Sequence, residues 1–149
     1  MESEELMKVN PLSKLITFGQ SVWLDYIRRD LMVSGELRRL IEEDGLRGMT
    51  SNPSIFEKAI AGSHDYDEDI RVMVLEGRGA MAIYDALSQR DVRSAADEFR
   101  PLYDKTEARD GYVSLEVNPH LANDTKGTFD KLIETLETAV EKQKLVMSG

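Results

Sequence analysis

Three short apolar runs, each set against a long stretch with helical spacing, constrain this chain more than any other feature. The runs are Ser21-Val22-Trp23-Leu24, Leu46-Arg47-Gly48-Met49-Thr50-Ser51 and Tyr112-Val113-Ser114-Leu115-Glu116-Val117. Strands separated by helices predict a parallel sheet, because a crossover between parallel neighbours needs a dozen or more residues and is usually helical. Each run also meets a polar residue that strand stability does not require. Asp25 closes the first, Asn52 follows the second and Glu116 lies inside the third. In parallel α/β sheets the side chains at the carboxyl ends of strands converge on the ligand side, so the repetition marks a candidate site. An Asp or Asn after a strand equally serves as a turn or helix cap. Glu116 is harder to explain structurally, since an unpaired carboxylate within an apolar strand costs on the order of several kcal/mol.

With 149 residues the chain can build one domain with a core, but not a complete eight-fold α/β barrel. Acidic side chains outnumber basic ones, 28 to 19, for a net charge of -9; without a basic patch, nucleic acid and anionic membranes are excluded as partners. No cysteine is present, which removes disulfides and thiolate metal sites. His64 and His120 are far apart in sequence and read as surface or loop residues, so neither a metal nor a cofactor is expected. Met1-Glu2-Ser3-Glu4-Glu5 does not read as a secretory signal, and no apolar stretch approaches membrane-spanning length. A cytoplasmic protein is the expectation.

Residues 1–9 read as frayed or disordered, and a short amphipathic piece around Leu12, Leu15 and Ile16 ends at Gly19. Ser34 is the expected cap of a helix bearing Leu37, Leu40 and Ile41, with Gly45 after its end. Asn52-Pro53 opens a second helix, with Ile55, Phe56, Ala59 and Ile60 on one side and Gly62 ending it. Ser63 is expected to cap a third, with Ile70, Met73 and Val74 facing inward, before Gly77 and Gly79 interrupt. Ile83 and Leu87 mark a further segment. Asp91 then opens a helix carrying Val92, Ala95, Ala96, Phe99 and Tyr103, which Pro101 should kink or end. Asp110-Gly111 makes the turn into the third strand. Phe129, Leu132, Ile133, Leu136, Ala139 and Val140 give a closing amphipathic helix behind Thr128.

Three strings resemble the first three barrel strands and loops of the transaldolases: SVWLDY (21–26), GLRGMTSNPSIFEKAI (45–60) and DGYVSLEVNPHLANDT (110–125). They are long, unusual and in the family's order and separation. FDKLIETLETAVEKQK (129–144) resembles the family's carboxyl-terminal helix. The resemblance implies a helix-rich α/β fold, a partial (β/α) barrel of about three parallel strands. Residues 10–128 would form the amino-terminal part of that barrel and 129–149 the closing helix and tail.

The resemblance further implies transfer of a dihydroxyacetone unit between sugar phosphates, as in the pentose phosphate pathway, through a Schiff base on a strand-four lysine. Asp25 matches the acid/base aspartate of carbon–carbon cleavage, and Glu116 the glutamate that orients water and shuttles a proton. Asn52 matches the asparagine that holds a substrate hydroxyl, beside Thr50 and Ser51. A partly desolvated barrel mouth would suit such carboxylates. The lysines are Lys8, Lys14, Lys58, Lys105, Lys126, Lys131, Lys142 and Lys144, and none lies in a strand-like run. The family's lysine segment and phosphate-binding strands are not found here. Lys126, in a loop-like stretch, is a poor substitute, because a Schiff-base amine needs a shielded strand end. The expected partner is therefore a sugar phosphate. Uncovered strand edges suggest a homo-oligomer or a complementing barrel fragment. The alternative is a non-catalytic shortened relative or assembly partner that keeps part of the fold.

Overall fold

The computed structural model describes residues 10–116, 123, 124 and 126. Strands β1 (Val22–Asp25), β2 (Leu46–Thr50) and β3 (Tyr112–Val113) form one open parallel sheet in that order. Around it lie a 3-10 helix (Pro11–Phe18), α1 (Arg29–Val33), α2 (Glu36–Glu42), α3 (Pro53–Ala61), α4 (Asp67–Leu75) and α5 (Ala80–Lys105). The architecture is a helix-rich piece of an α/β barrel, as the alternation of runs and helical stretches requires.

One face of the sheet carries the core. Met49 and Leu46 pack with Ile27, Leu37, Phe56, Ala95, Phe99 and Leu102, flanked by Leu24 and Val113. Side chains of this size contribute about 1.5–3 kcal/mol each when fully buried. The other face is bare enough that Trp23 is 42 % exposed. Its indole lies across β2 at Gly48, where a Cβ would come within 2.4 Å of the ring, so glycine is what lets the two strands pair here.

Several expectations need correction. The third strand has only two paired residues, and Glu116 lies beyond it, exposed rather than inside an apolar strand. The cost of burying an unpaired carboxylate therefore does not arise. A short helix, α1, precedes the one assigned to Leu37 and Leu40; Ser34 ends α1 and Gly35, in the left-handed region at φ 79°, occupies the cap of α2. Ser34 still helps, its Oγ accepting the Glu36 N–H at 3.3 Å. Tyr66, not Ser63, stands at the cap position of α4, without a side-chain capping bond; the Ser63 hydroxyl donates back to the Ala59 carbonyl. Met73 is buried but Val74 is 56 % exposed. The 3-10 helix buries none of its residues fully.

The largest correction concerns α5, one unbroken helix of 26 residues. Asp91 does not open it; the side chain is buried in its middle, where tertiary partners outweigh the capping preference. Pro101 sits inside, and the helix continues because Ala95, Phe99 and Leu102 bury on both sides of the missing rung. Residues 1–9, His120, Thr128 and the closing helix expected at 129–144 lie outside the described residues.

Candidate active site

The register of the sheet places the candidate residues. Asp25 pairs with Thr50, and the Thr50 hydroxyl donates to Asp25 Oδ1 at 2.7 Å. β2 pairs with β3 as Gly48 with Tyr112 and Met49 with Val113. Continued along the chain, that offset sets Thr50 level with Ser114 and Asn52 level with Glu116. The match extends past the last paired residue, since the Ser114 N–H donates to the Met49 carbonyl at 2.9 Å and the Ser51 hydroxyl to the Ser114 carbonyl at 2.6 Å. Asp25 thus ends β1, while Asn52 and Glu116 follow β2 and β3 on the carboxyl side of the same parallel sheet.

Asn52 caps α3 as expected from Asn52-Pro53: its Oδ1 accepts the Ile55 N–H at 3.0 Å. The cap uses only the carbonyl half of the amide. Among the described residues its NH2 group donates to no partner, so capping leaves the donors free for a ligand. Ser51 is buried and its hydroxyl proton is committed to the Ser114 carbonyl, a bond that fastens β2 to β3. Asp25 is exposed, and its second oxygen takes no partner among the described residues.

Glu116 is exposed and lies within electrostatic range of Tyr84. Burial pushes the Tyr84 phenol up, and the charges of Asp85 and Glu116 push it the same way. The ring packs edge-on against buried Phe56, 6.2 Å between centroids. Sequence reading missed Tyr84, which falls in the helical segment taken only for its apolar spacing. Among the described residues no partly desolvated mouth forms around the carboxylates, and both Asp25 and Glu116 are exposed.

Cavities among the described residues lie elsewhere, and two of them are sizeable. One, of about 500 Å³, is an apolar groove lined by Ile60, Ile70, Val74, Ile83, Tyr84 and Leu87. The other, of about 640 Å³, opens between α2, α5 and the start of β2, with Arg38, Arg47, Glu98 and Lys105 on its walls. Neither is lined by Asp25, Thr50, Asn52 or Glu116. No group of three or more His, Cys, Asp or Glu among the described residues is arranged to hold a metal. No helix among them is long and apolar enough to cross a membrane.

Parallel strands joined by helices, with polar side chains gathered at their carboxyl ends, define a piece of an α/β barrel of the kind that takes ligands at that edge. The chain belongs to the transaldolase family: the family model described as Transaldolase/Fructose-6-phosphate aldolase matches residues 22–146. Among similar proteins, the transaldolase of Trichodesmium erythraeum is 42% identical over 141 residues, which is 95% of this chain and 37% of that protein. Transaldolase 2 of Nostoc punctiforme is 46% identical over 125 residues, 84% of this chain and 33% of its own length. The transaldolase of Thiobacillus denitrificans is 48% identical over 113 residues, 76% and 32% respectively. The chain therefore spans about a third of the length of the curated relatives it matches.

Proposed function

We propose that this chain supplies the acid/base and hydroxyl-binding part of a transaldolase-type site, which transfers a dihydroxyacetone unit between sugar phosphates. The observation that supports the reading is the register: β1 and β2 set Asp25 beside Thr50, and the β2–β3 offset, carried past its last pair, runs Asn52 level with Glu116 at the edge where barrels of this class act. Asp25 is the acid/base group of carbon–carbon cleavage. Its bond from Thr50 holds one oxygen and leaves the other for the substrate proton. Asn52 donates its NH2 to a substrate hydroxyl, and Thr50 lines the same wall. Ser51 serves by keeping β2 against β3. Glu116 orients water and carries a proton.

The Schiff-base lysine is the part this reading places outside the 149 residues. Lys14, Lys58 and Lys105 lie in the 3-10 helix, α3 and α5, not at a strand end. Rejoined to a lysine-bearing strand, in a second copy or a complementing fragment paired at the β1 or β3 edge, the site would gain both its nucleophile and the desolvation that its carboxylates lack. The setting is the cytoplasm. The exposure of Asp25 and Glu116 favours the second reading, a non-catalytic shortened relative or assembly partner.

Borohydride reduction with fructose 6-phosphate, read by mass spectrometry, separates the two. The proposal expects no adduct on the isolated chain and a trapped adduct on the lysine partner when a fragment with the remaining strands is supplied. Failure of the mixture to form any adduct would leave the non-catalytic reading.

A further inference from the structure

Asp91 takes no part in the chemistry above, yet it is 1 % exposed and has both oxygens filled. Oδ1 accepts from Arg29 Nε at 3.0 Å and Oδ2 from the Tyr66 hydroxyl at 2.7 Å. The same hydroxyl accepts the backbone N–H of Arg29 at 3.1 Å, and the guanidinium lies 4.4 Å from the Tyr66 ring centroid. Arg29 Nη1 donates to the Asp65 carbonyl and to Asp69 Oδ2, which Arg90 also holds. Three helices, α1, α4 and α5, and the turn before α4 are thereby joined through one buried carboxylate.

The cluster bears on the candidate site through the connection that leaves β1. Arg29 is the first residue of α1 and follows Asp25 by four positions. Arg28, at the cap position, pairs with the Asp30 carboxylate at 3.3 Å but makes no side-chain capping bond to the backbone, so the first N–H of α1 is satisfied from across the fold by Tyr66. Between Asp25 and Arg29 the other anchors are Ile27, which is fully buried, and Arg28, whose Nε lies 3.5 Å from the Asp65 carboxylate. A five-residue helix holds its place by tertiary contacts rather than by its own ladder. What fixes the exit of β1 is therefore the clasp on Arg29 together with Ile27 and the more exposed Arg28–Asp65 pair.

We propose that Asp91 is a positioning residue for Asp25: through Arg29 and Tyr66 it fixes the β1–α1 connection and so keeps the Asp25 carboxylate against Thr50. The proposal rests on the reading of Asp25 as the acid/base group. A carboxylate in the middle of a helix, bonded through one oxygen to an arginine and through the other to a phenol, gives directional hold that apolar packing of Ile27 alone does not.

Amide hydrogen exchange on the 149-residue chain tests it, with Tyr66→Phe, Asp91→Asn and, as a control that loosens the other end of α5, Leu102→Ala. Tyr66→Phe keeps the ring and the Arg29–Asp91 bond, so it reports even where Asp91→Asn fails to fold. The expected result is exchange at Tyr26–Asp30 accelerated by about tenfold more than at Ala95–Phe99 in both network variants, and no such bias in Leu102→Ala. Equal acceleration across the protein in Tyr66→Phe overturns the proposal. The 13C resonance of the Asp25 side-chain carboxyl gives a second readout: it moves in Tyr66→Phe and not in Leu102→Ala, and an unmoved resonance in Tyr66→Phe also overturns it. Adding fructose 6-phosphate to wild type separates the two ideas. An Asp25 resonance that ignores the sugar phosphate defeats the acid/base reading, whereas the exchange bias tests only the positioning.

Discussion

Two carboxylates in this fold each accept a hydroxyl at 2.7 Å, and they have opposite surroundings. Asp91 takes its bond from Tyr66 in the core, with its second oxygen filled by Arg29. Asp25 takes its bond from Thr50 at the open edge of the sheet, with its second oxygen free among the described residues. The buried carboxylate is closed off from any ligand, and its removal takes from Arg29 one of its two carboxylate partners. The exposed one can be removed at little cost and has an acceptor to offer. The proposed function would divide stability and chemistry between these two carboxylates, and Arg29 links them, bonded to Asp91 and only four positions after Asp25.

The largest expected effect is on the buried side. Asp91→Ala removes both acceptors and leaves Arg29 with Asp69 as its remaining carboxylate, which should cost about 3 kcal/mol in equilibrium denaturant unfolding, the low end for a broken buried pair. Gly48→Ala attacks the open face, where a methyl would stand 2.4 Å from the Trp23 ring. Relieving that clash should cost about 1–3 kcal/mol. Trp23 is the only tryptophan, so a shift in its emission reports the displaced ring directly. Asn52→Ala loses the α3 cap for about 1 kcal/mol by thermal or denaturant melting.

The pH profile sharpens the same contrast. Burial, then the neighbouring Asp91, raises the Tyr66 phenol above its ordinary value of 10.0. The unfolded chain therefore releases this proton first as the solution turns alkaline. Stability from the neutral phenol is complete below about pH 10 and is lost as pH rises toward the folded value. Melting temperature should fall more steeply above that pH in wild type than in Tyr66→Phe; parallel curves would contradict the buried bond. The smallest effect is Asp25→Asn, an exposed change expected within about 0.5 kcal/mol of wild type.

Much of the sheet is legible in the sequence because its signals are local. Asn52-Pro53 opening α3 and Gly62 closing it depend on backbone donors within one turn, and the structure uses them as expected. The extra helix α1 is not legible because it lacks a local cap: its first N–H is satisfied by Tyr66, 37 residues away. Asp91 misleads for the same reason, since an aspartate ahead of an apolar stripe looks like a cap until Arg29 and Tyr66 are brought beside it. The third strand reads too long because Leu115 and Glu116 keep strand alternation, yet its residue-for-residue pairing with β2 ends at Val113. At the site, Asp25, Asn52 and Glu116 stand out through their strand-end positions. Tyr84 does not, because its nearness to Glu116 depends on how α5 packs back over the sheet.

The central claim is that Asp25, Thr50, Asn52 and Glu116 face one ligand at the carboxyl edge of the sheet. Titrating the isotope-labelled chain with fructose 6-phosphate and mapping the shifted amide and side-chain resonances tests it most directly. The account predicts shifts centred on those four residues and on Trp23, saturating together with one dissociation constant. Shifts confined to the groove at Ile70 and Ile83, or separate saturation of Asp25 and Glu116, would contradict it.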